Sequence, residues 1–243
     1  MPNMAAARPH LEGDDMLHSI NSLIGHQLHA LDGEFGSVHD FYFDDRCWAI
    51  RYLVADADAS PAGRHVLLTP HAFASLDDAG KHMRLNLTRR QIGLSPPIDS
   101  DIPVSRQFEL DTYAYYGLEG YWQGRSPRND GAGTGRDASA VPTPSGQARS
   151  QDAADPHLRS VDAVTGYRLH ASDGEHGHIA DFLFEDQDWS LKQLVIKTGG
   201  WFSGSEVLIP TSEVERISVE DSTVFVSSNR ETIRQRPEHL SVG

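Results

Sequence analysis

The chain has 243 residues, with 21 Lys and Arg against 35 Asp and Glu and a formal charge of −14. That balance speaks against a nucleic-acid partner or an anionic membrane surface, because both need clustered cations. A single cysteine, Cys47, excludes an internal disulfide and suits a reducing cytoplasm; no stretch approaches the roughly 18 apolar residues of a spanning helix, and Met1 to Asp15 lacks the apolar run of a signal peptide.

In chain order, residues 1–16 are polar with Ala and Pro, the composition of a disordered segment. Ser19 to Gly25 reads as a short helical turn or loop. His26-Gln27-Leu28-His29-Ala30 alternates in polarity and predicts a strand, turned by Asp32-Gly33-Glu34-Phe35-Gly36 into a second one. Gly36 to Asp44 carries Val38, Phe41 and Phe43, and the change of phase between 38 and 41 predicts a bulge. Asp44-Asp45-Arg46 turns the chain into a third strand, Trp48 to Val54. Arg64 to Thr69 is the fourth, ending at Pro70, where a missing donor does least harm. Met83, Leu85 and Leu87 alternate as the fifth. Short strands separated by Gly and Asp turns predict a small antiparallel barrel or curled sheet over residues 17–94.

Residues 95–122 form an arm. Pro96-Pro97 and Pro103 break regular structure, and Ser105 suits the cap of a helix over Arg106 to Tyr116 that stops at Gly117. The arm holds Phe108, Tyr113, Tyr115, Tyr116, Tyr121 and Trp122, six of the chain's 20 aromatic residues. Residues 123–156, rich in Gly, Ser, Ala, Pro and Asp, read as a flexible linker.

Residues 157–243 then repeat residues 17–94. Asp173-Gly174-Glu175-His176-Gly177 stands 141 residues after its first copy, and the same offset carries Gly25 to Gly166, Trp48 to Trp189, Leu53 to Leu194 and Ile92 to Ile233. Ser19–Val54 and Ser160–Val195 share 16 identities in 36 ungapped positions, so the chain is a tandem duplication. Each unit has a core of roughly 80 residues, near the lower limit of independent stability, so packing between units or between chains is expected. The aromatic arm has no counterpart after the second unit.

Gly25 or Gly166, the two Asp-Gly-Glu-x-Gly stretches, Asp-Phe-x-Phe-(Asp/Glu)-Asp, Trp48 or Trp189 leading into Leu-Val, and Val-Leu-(Leu/Ile) together resemble the PRC-barrel family. That family is named for the cytoplasmic domain of the H subunit of purple bacterial photosynthetic reaction centres, and similar domains end a ribosome-maturation factor. The resemblance covers about two thirds of the chain. It implies an all-β fold of two small antiparallel PRC-type barrels in tandem, used for protein association. In the H subunit the acidic groups help conduct protons towards a quinone; in the maturation factor the domain contributes to binding a ribosomal protein. This chain lacks the membrane helix of the first and the companion domain of the second, so neither specific role carries over.

Each candidate for chemistry also has a structural reading. The Asp-Gly-Glu-x-Gly turn offers a cation only Asp32 and Glu34, and a hairpin turn is the better reading. Asp40 and Asp181 stand just before the apolar centre of a strand, where they read either as buried acids accepting backbone hydrogen bonds or, by analogy with the H subunit, as proton carriers. Two sets suggest zinc, His176 and His178 with Asp173, and His26, His29 and His39; neither spacing completes a tetrahedral site, so surface histidine is preferred and no metal is assigned. No nucleophile elbow, phosphate loop or paired-Cys motif occurs, so no catalytic residue and no cofactor are assigned.

Partner-binding candidates lie where the repeat is broken: Tyr115, Tyr116, Tyr121 and Trp122 in the arm, and Trp201 and Phe202 in a loop that has no aromatic residue in the first unit. For the arm's Tyr and Trp rings, packing on the first barrel to cover its edge is the preferred reading. The expectation is a cytoplasmic, non-enzymatic adaptor or scaffold, dimeric, with a protein partner the sequence does not name. The alternative is a small-ligand or metal-binding module linked to photosynthetic or quinone electron transport.

Overall fold

The computed structural model describes residues 17–57, 64–77, 81–95, 97–98, 112, 115, 155–198 and 205–238. The 1–16 segment, most of the arm, residues 123–154 of the linker and the 199–204 loop lie outside the described residues. In the first repeat the elements are β1 (Leu17–Ser19), α1 (Ile20–Leu23), β2 (Gln27–Ala30), β3 (Gly33–Asp44), β4 (Ala49–Ala57), β5 (Arg64–Leu68), a 3-10 turn (Pro70–Ala72), β6 (Phe73–Asp77), β7 (His82–Leu85), α2 (Arg89–Gly93) and β8 (Pro97–Ile98). The second repeat supplies β9 (Leu158–Ser160), α3 (Val161–Val164), β10 (Arg168–Ala171), β11 (Gly174–Glu185), β12 (Ser190–Thr198), β13 (Ser205–Pro210), a 3-10 turn (Thr211–Glu213), β14 (Val214–Ser218), β15 (Thr223–Val226) and α4 (Arg230–Arg234). The secondary structure is mostly β with a few short helices, as the strand periodicity predicts.

Duplication extends to backbone conformation. Positive φ angles come in pairs 141 residues apart: Gly25 and Gly166, Gly33 and Gly174, Trp48 and Trp189, Lys81 and Ser222. For a bulky Trp this conformation is uncommon and costs about 1–2 kcal/mol. Its recurrence, at φ 54° and 58°, marks a turn that the fold requires in both copies.

Two compact units result, and neither is one stretch of chain: one takes Met1–Gly25, Asp40–Arg51 and Arg159–Gly243, the other His26–His39 and Tyr52–Leu158. The first unit therefore holds both ends of the duplication. Its strands run β14-β15-β10-β11-β12, with β13 on β12. β10 pairs with residues 174–178 of β11, and β1 takes β11 farther along, with Leu17 opposite Glu185 and Ser19 opposite Leu183. Part of the first repeat thus completes a sheet edge of the second. β12 meets the start of β4 at Ser190 and Ala49, flanked by reciprocal bonds: Ile50 N–H donates to Trp189 C=O (2.8 Å) and Leu191 N–H to Trp48 C=O (2.7 Å).

The core of this unit is aromatic. Phe41, Phe43, Phe182 and Phe184 are fully buried, with Phe43 against Phe182 at 5.5 Å and Phe41 against Phe184 at 6.4 Å between centroids. Trp48 stacks on Phe43 and Trp189 on Phe184, at 5.6 and 5.3 Å. The left-handed turn that aims each indole at its Phe is closed by Trp48 N–H to Asp44 C=O and Trp189 N–H to Glu185 C=O. Stacking of buried rings, worth about 0.5–1.5 kcal/mol a pair beyond area burial, offsets the backbone cost.

In the other unit β2 pairs with the start of β3 and with β7, β6 with β7, and the end of β4 with β5, which carries β8. Leu28, Val38, Tyr52, Leu53, Val66, Leu68, Met83 and Ile92 are buried there.

Several sequence expectations change. Not all pairing is antiparallel: β2–β7 and β10–β15 are parallel, which the intervening strands permit by supplying the long crossover that parallel pairing needs. Among the described residues, the strand path does not close into a ring. At the positions of the second repeat equivalent to the bulge expected between Val38 and Phe41, Ala180 is an extra residue between Ile179, opposite Ile196, and Asp181, opposite Val195. Thr112 and Tyr115, the described residues of the predicted 106–116 helix, are helical.

Candidate functional site

Asp40 and Asp181, the two acids set against apolar strands, have one job done twice. Asp181 accepts from Ser19 Oγ–H at Oδ2 (2.5 Å), and from Asn21 N–H (3.0 Å) and Phe182 N–H (2.7 Å) at Oδ1. Asp40 accepts from Ser160 Oγ–H at Oδ2 (2.6 Å), and from Asp162 N–H (3.1 Å) and Phe41 N–H (2.7 Å) at Oδ1. Ser19 and Ser160 are themselves N-caps, accepting from Ser22 and Ala163 N–H. Each short helix therefore has a serine cap of its own and a carboxylate from the other repeat, which together satisfy amides that a helix start leaves unpaired. Burial pushes both carboxyls up, and the hydrogen bonds act in the opposite sense. Burial, aided by Asp40, also pushes the Tyr42 phenol up to about 12. Of the two readings, the buried acid accepting hydrogen bonds is the one with visible partners.

The Asp-Gly-Glu-x-Gly turns also serve helix ends. Asp32 Oδ1 accepts from Arg89 N–H (2.7 Å) at the start of α2, and Asp173 Oδ1 accepts from Arg230 N–H (2.8 Å) at the start of α4. The bond from the Arg230 amide is the main influence holding the Asp173 carboxyl below its usual range. Gly33 and Gly174 have φ of 133° and 131°, and a Cβ on either lies 3.7–3.8 Å from the Arg side chain behind it. The motif is a hairpin turn that holds a helix, with Asp and Gly each required.

The zinc sets suggested by sequence do not assemble. Asp173 is engaged by Arg230, and His176 lies close enough to Arg234 and Arg230 that, after desolvation, these cations hold its imidazole below its ordinary value. His29 meets His82, Nε2 to Nδ1, at 3.1 Å. His39 instead joins two residues that sequence reasoning did not single out. Its Nδ1 lies 3.3 Å from Asp56 Oδ2, while His65 Nε2 lies 2.6 Å from Asp56 Oδ1. The two imidazoles stack at 4.4 Å between centroids and 26° between planes. Among the described residues this is the one group of three His, Cys, Asp or Glu whose donor atoms converge, all within 4.8 Å of one another. The chain matches no family model and no curated protein.

Other reactive groups are accounted for by their surroundings. Desolvation and the Asp44 carboxylate push the Cys47 thiol up, the opposite of what an activated nucleophile needs. Asp44 and Arg51 form a buried ion pair at 3.2 Å. In the second repeat the same positions hold Glu185 and Lys192, paired at 2.7 Å nearer the surface. Of the aromatic candidates, Tyr115 is 39% exposed and donates its hydroxyl to Gln91 C=O at 2.7 Å, so its ring lies against α2. Tyr116, Tyr121, Trp122, Trp201 and Phe202 fall outside the described residues.

Proposed function

We propose that the protein is a non-enzymatic association module, built of two PRC-barrel-like repeats in tandem and acting as an adaptor or scaffold. The observation that carries this reading is the reciprocal capping of α1 by Asp181 and α3 by Asp40. A surface that captures a short strand and capped helix from another repeat works by strand addition, a common mode of peptide recognition. The doubled acids are engaged by that arrangement, which supports a structural role for them. For a dimer of whole chains the proposal relies on the aromatic residues that break the repeat, Tyr115, Tyr116, Tyr121, Trp122, Trp201 and Phe202. Light scattering of the intact chain, with affinity capture from lysate, tests it: a dimer or a stable complex is expected, and a monomer that captures nothing overturns it.

A second reading, a metal-binding module, is favoured by one observation, the convergence of His39, Asp56 and His65.

A further inference from the structure

We infer that His39, Asp56 and His65 form an open, three-ligand site for a divalent transition-metal ion of the zinc type. This is independent of the association reading and rests on residues of the other compact unit.

The site is made by register. Asp56 on β4 stands directly opposite His65 on β5, the cross-strand spacing at which side chains on one face meet. His39 comes from β3, at the position equivalent to the bulged Ala180 of the second repeat, and bulges re-aim side chains. The donors are two imidazole nitrogens and a carboxylate, a set suited to Zn2+, Co2+, Ni2+ or Cu2+ and poor for Ca2+ or Mg2+, which take oxygen ligands. In a tetrahedral site with bonds of 2.0–2.1 Å, neighbouring donors lie about 3.3 Å apart. His39 Nδ1 and Asp56 Oδ2 already have that spacing, 3.3 Å. His65 Nε2 and Asp56 Oδ1, at 2.6 Å, are at hydrogen-bond distance, and the two stacked rings must turn towards a common point to admit an ion. Asp56, 40% exposed, is free enough to turn. Three protein ligands leave a position for water or for a donor from another molecule, unlike the closed four-ligand sets of structural zinc.

The duplication argues that these residues are not there for the fold. Their equivalents are Ala180, Lys197 and Glu206, and Lys197 stands opposite Glu206 in the same register as Asp56 and His65. The sheet is thus built equally well without the histidines or the aspartate.

Equilibrium dialysis of the whole chain against Zn2+, and titration with Co2+ followed by its visible spectrum, test the site above the pH range in which histidine is protonated. One equivalent bound per chain is expected, and His39→Ala or His65→Ala should abolish it. The double substitution Asp56→Lys with His65→Glu installs the pair already present in the second repeat. It should keep the metal-free melting temperature while losing the ion. His176→Ala should leave binding unchanged. No stoichiometric binding by the native chain, or binding that survives the double substitution, overturns the inference and leaves a hydrogen-bonded surface cluster only.

Discussion

Asp181 has three hydrogen bonds and a half-buried position, and the two act oppositely on its carboxyl. Because burial dominates, the folded state holds the Asp181 proton more tightly than the unfolded chain does. Its contribution to stability is therefore complete below the ordinary Asp value of 3.8 and is lost as pH rises through the raised folded value. Asp181→Asn removes this dependence, so the variant's stability relative to the native chain should improve between about pH 4 and about pH 7 in urea unfolding. An unchanged difference would contradict the assignment. Asp181→Ala should cost about 1–2 kcal/mol at neutral pH through loss of the cap, and it should be non-additive with Ser19→Ala because the two share a bond. The ion pairs Asp44–Arg51 and Glu185–Lys192 offer a second contrast within one chain. Arg51→Ala strands a buried carboxylate and should cost about 3–5 kcal/mol. Lys192→Ala, at a side chain 39% exposed, should cost less than about 1 kcal/mol.

At the scale of elements, the hairpins depend on backbone shape. Gly177 has φ 89°, and a Cβ there falls 2.3 Å from Lys197 O on β12, whereas one on Gly25, φ 81°, meets nothing within 4 Å. Gly177→Ala combines a backbone clash with a left-handed conformation and should cost about 2–5 kcal/mol; Gly25→Ala should cost only the conformational part, about 1–2 kcal/mol. Thermal or urea unfolding of the two variants checks the ranking. These turns were legible in the sequence, since Asp-Gly occurs in both copies and Val38 to Phe41 changes phase. β1 and β9 were not. Three residues are too few to show a period, and the partner of β1 lies more than 160 residues away on β11. The capping role of Asp40 and Asp181 was half legible: the sequence marked them as buried acceptors, while their donors belong to the other repeat. The His39–Asp56–His65 group stayed hidden because it depends on the register of β4 against β5, and sequence spacing grouped His39 with His26 and His29. The available signal was the opposite of repetition, three ligand types replaced by Ala180, Lys197 and Glu206 in the second copy.

At the scale of the molecule, a duplication need not give two units that each follow one repeat. The unit containing Asp40 and Asp181 draws on residues 1–25, 40–51 and 159–243, and within it each repeat caps a helix of the other. Ser19 matches Ser160 and Asn21 matches Asp162, so the segment received by one repeat closely resembles the segment it gives. A single repeat in isolation would then find its missing segment on a second copy of itself, in a two-fold arrangement where the same contacts are made twice. Light scattering of residues 155–243 expressed alone tests this most directly. The account predicts a dimer that dissociates on Ser160→Ala with Asp181→Ala; a folded monomer of native stability would contradict it.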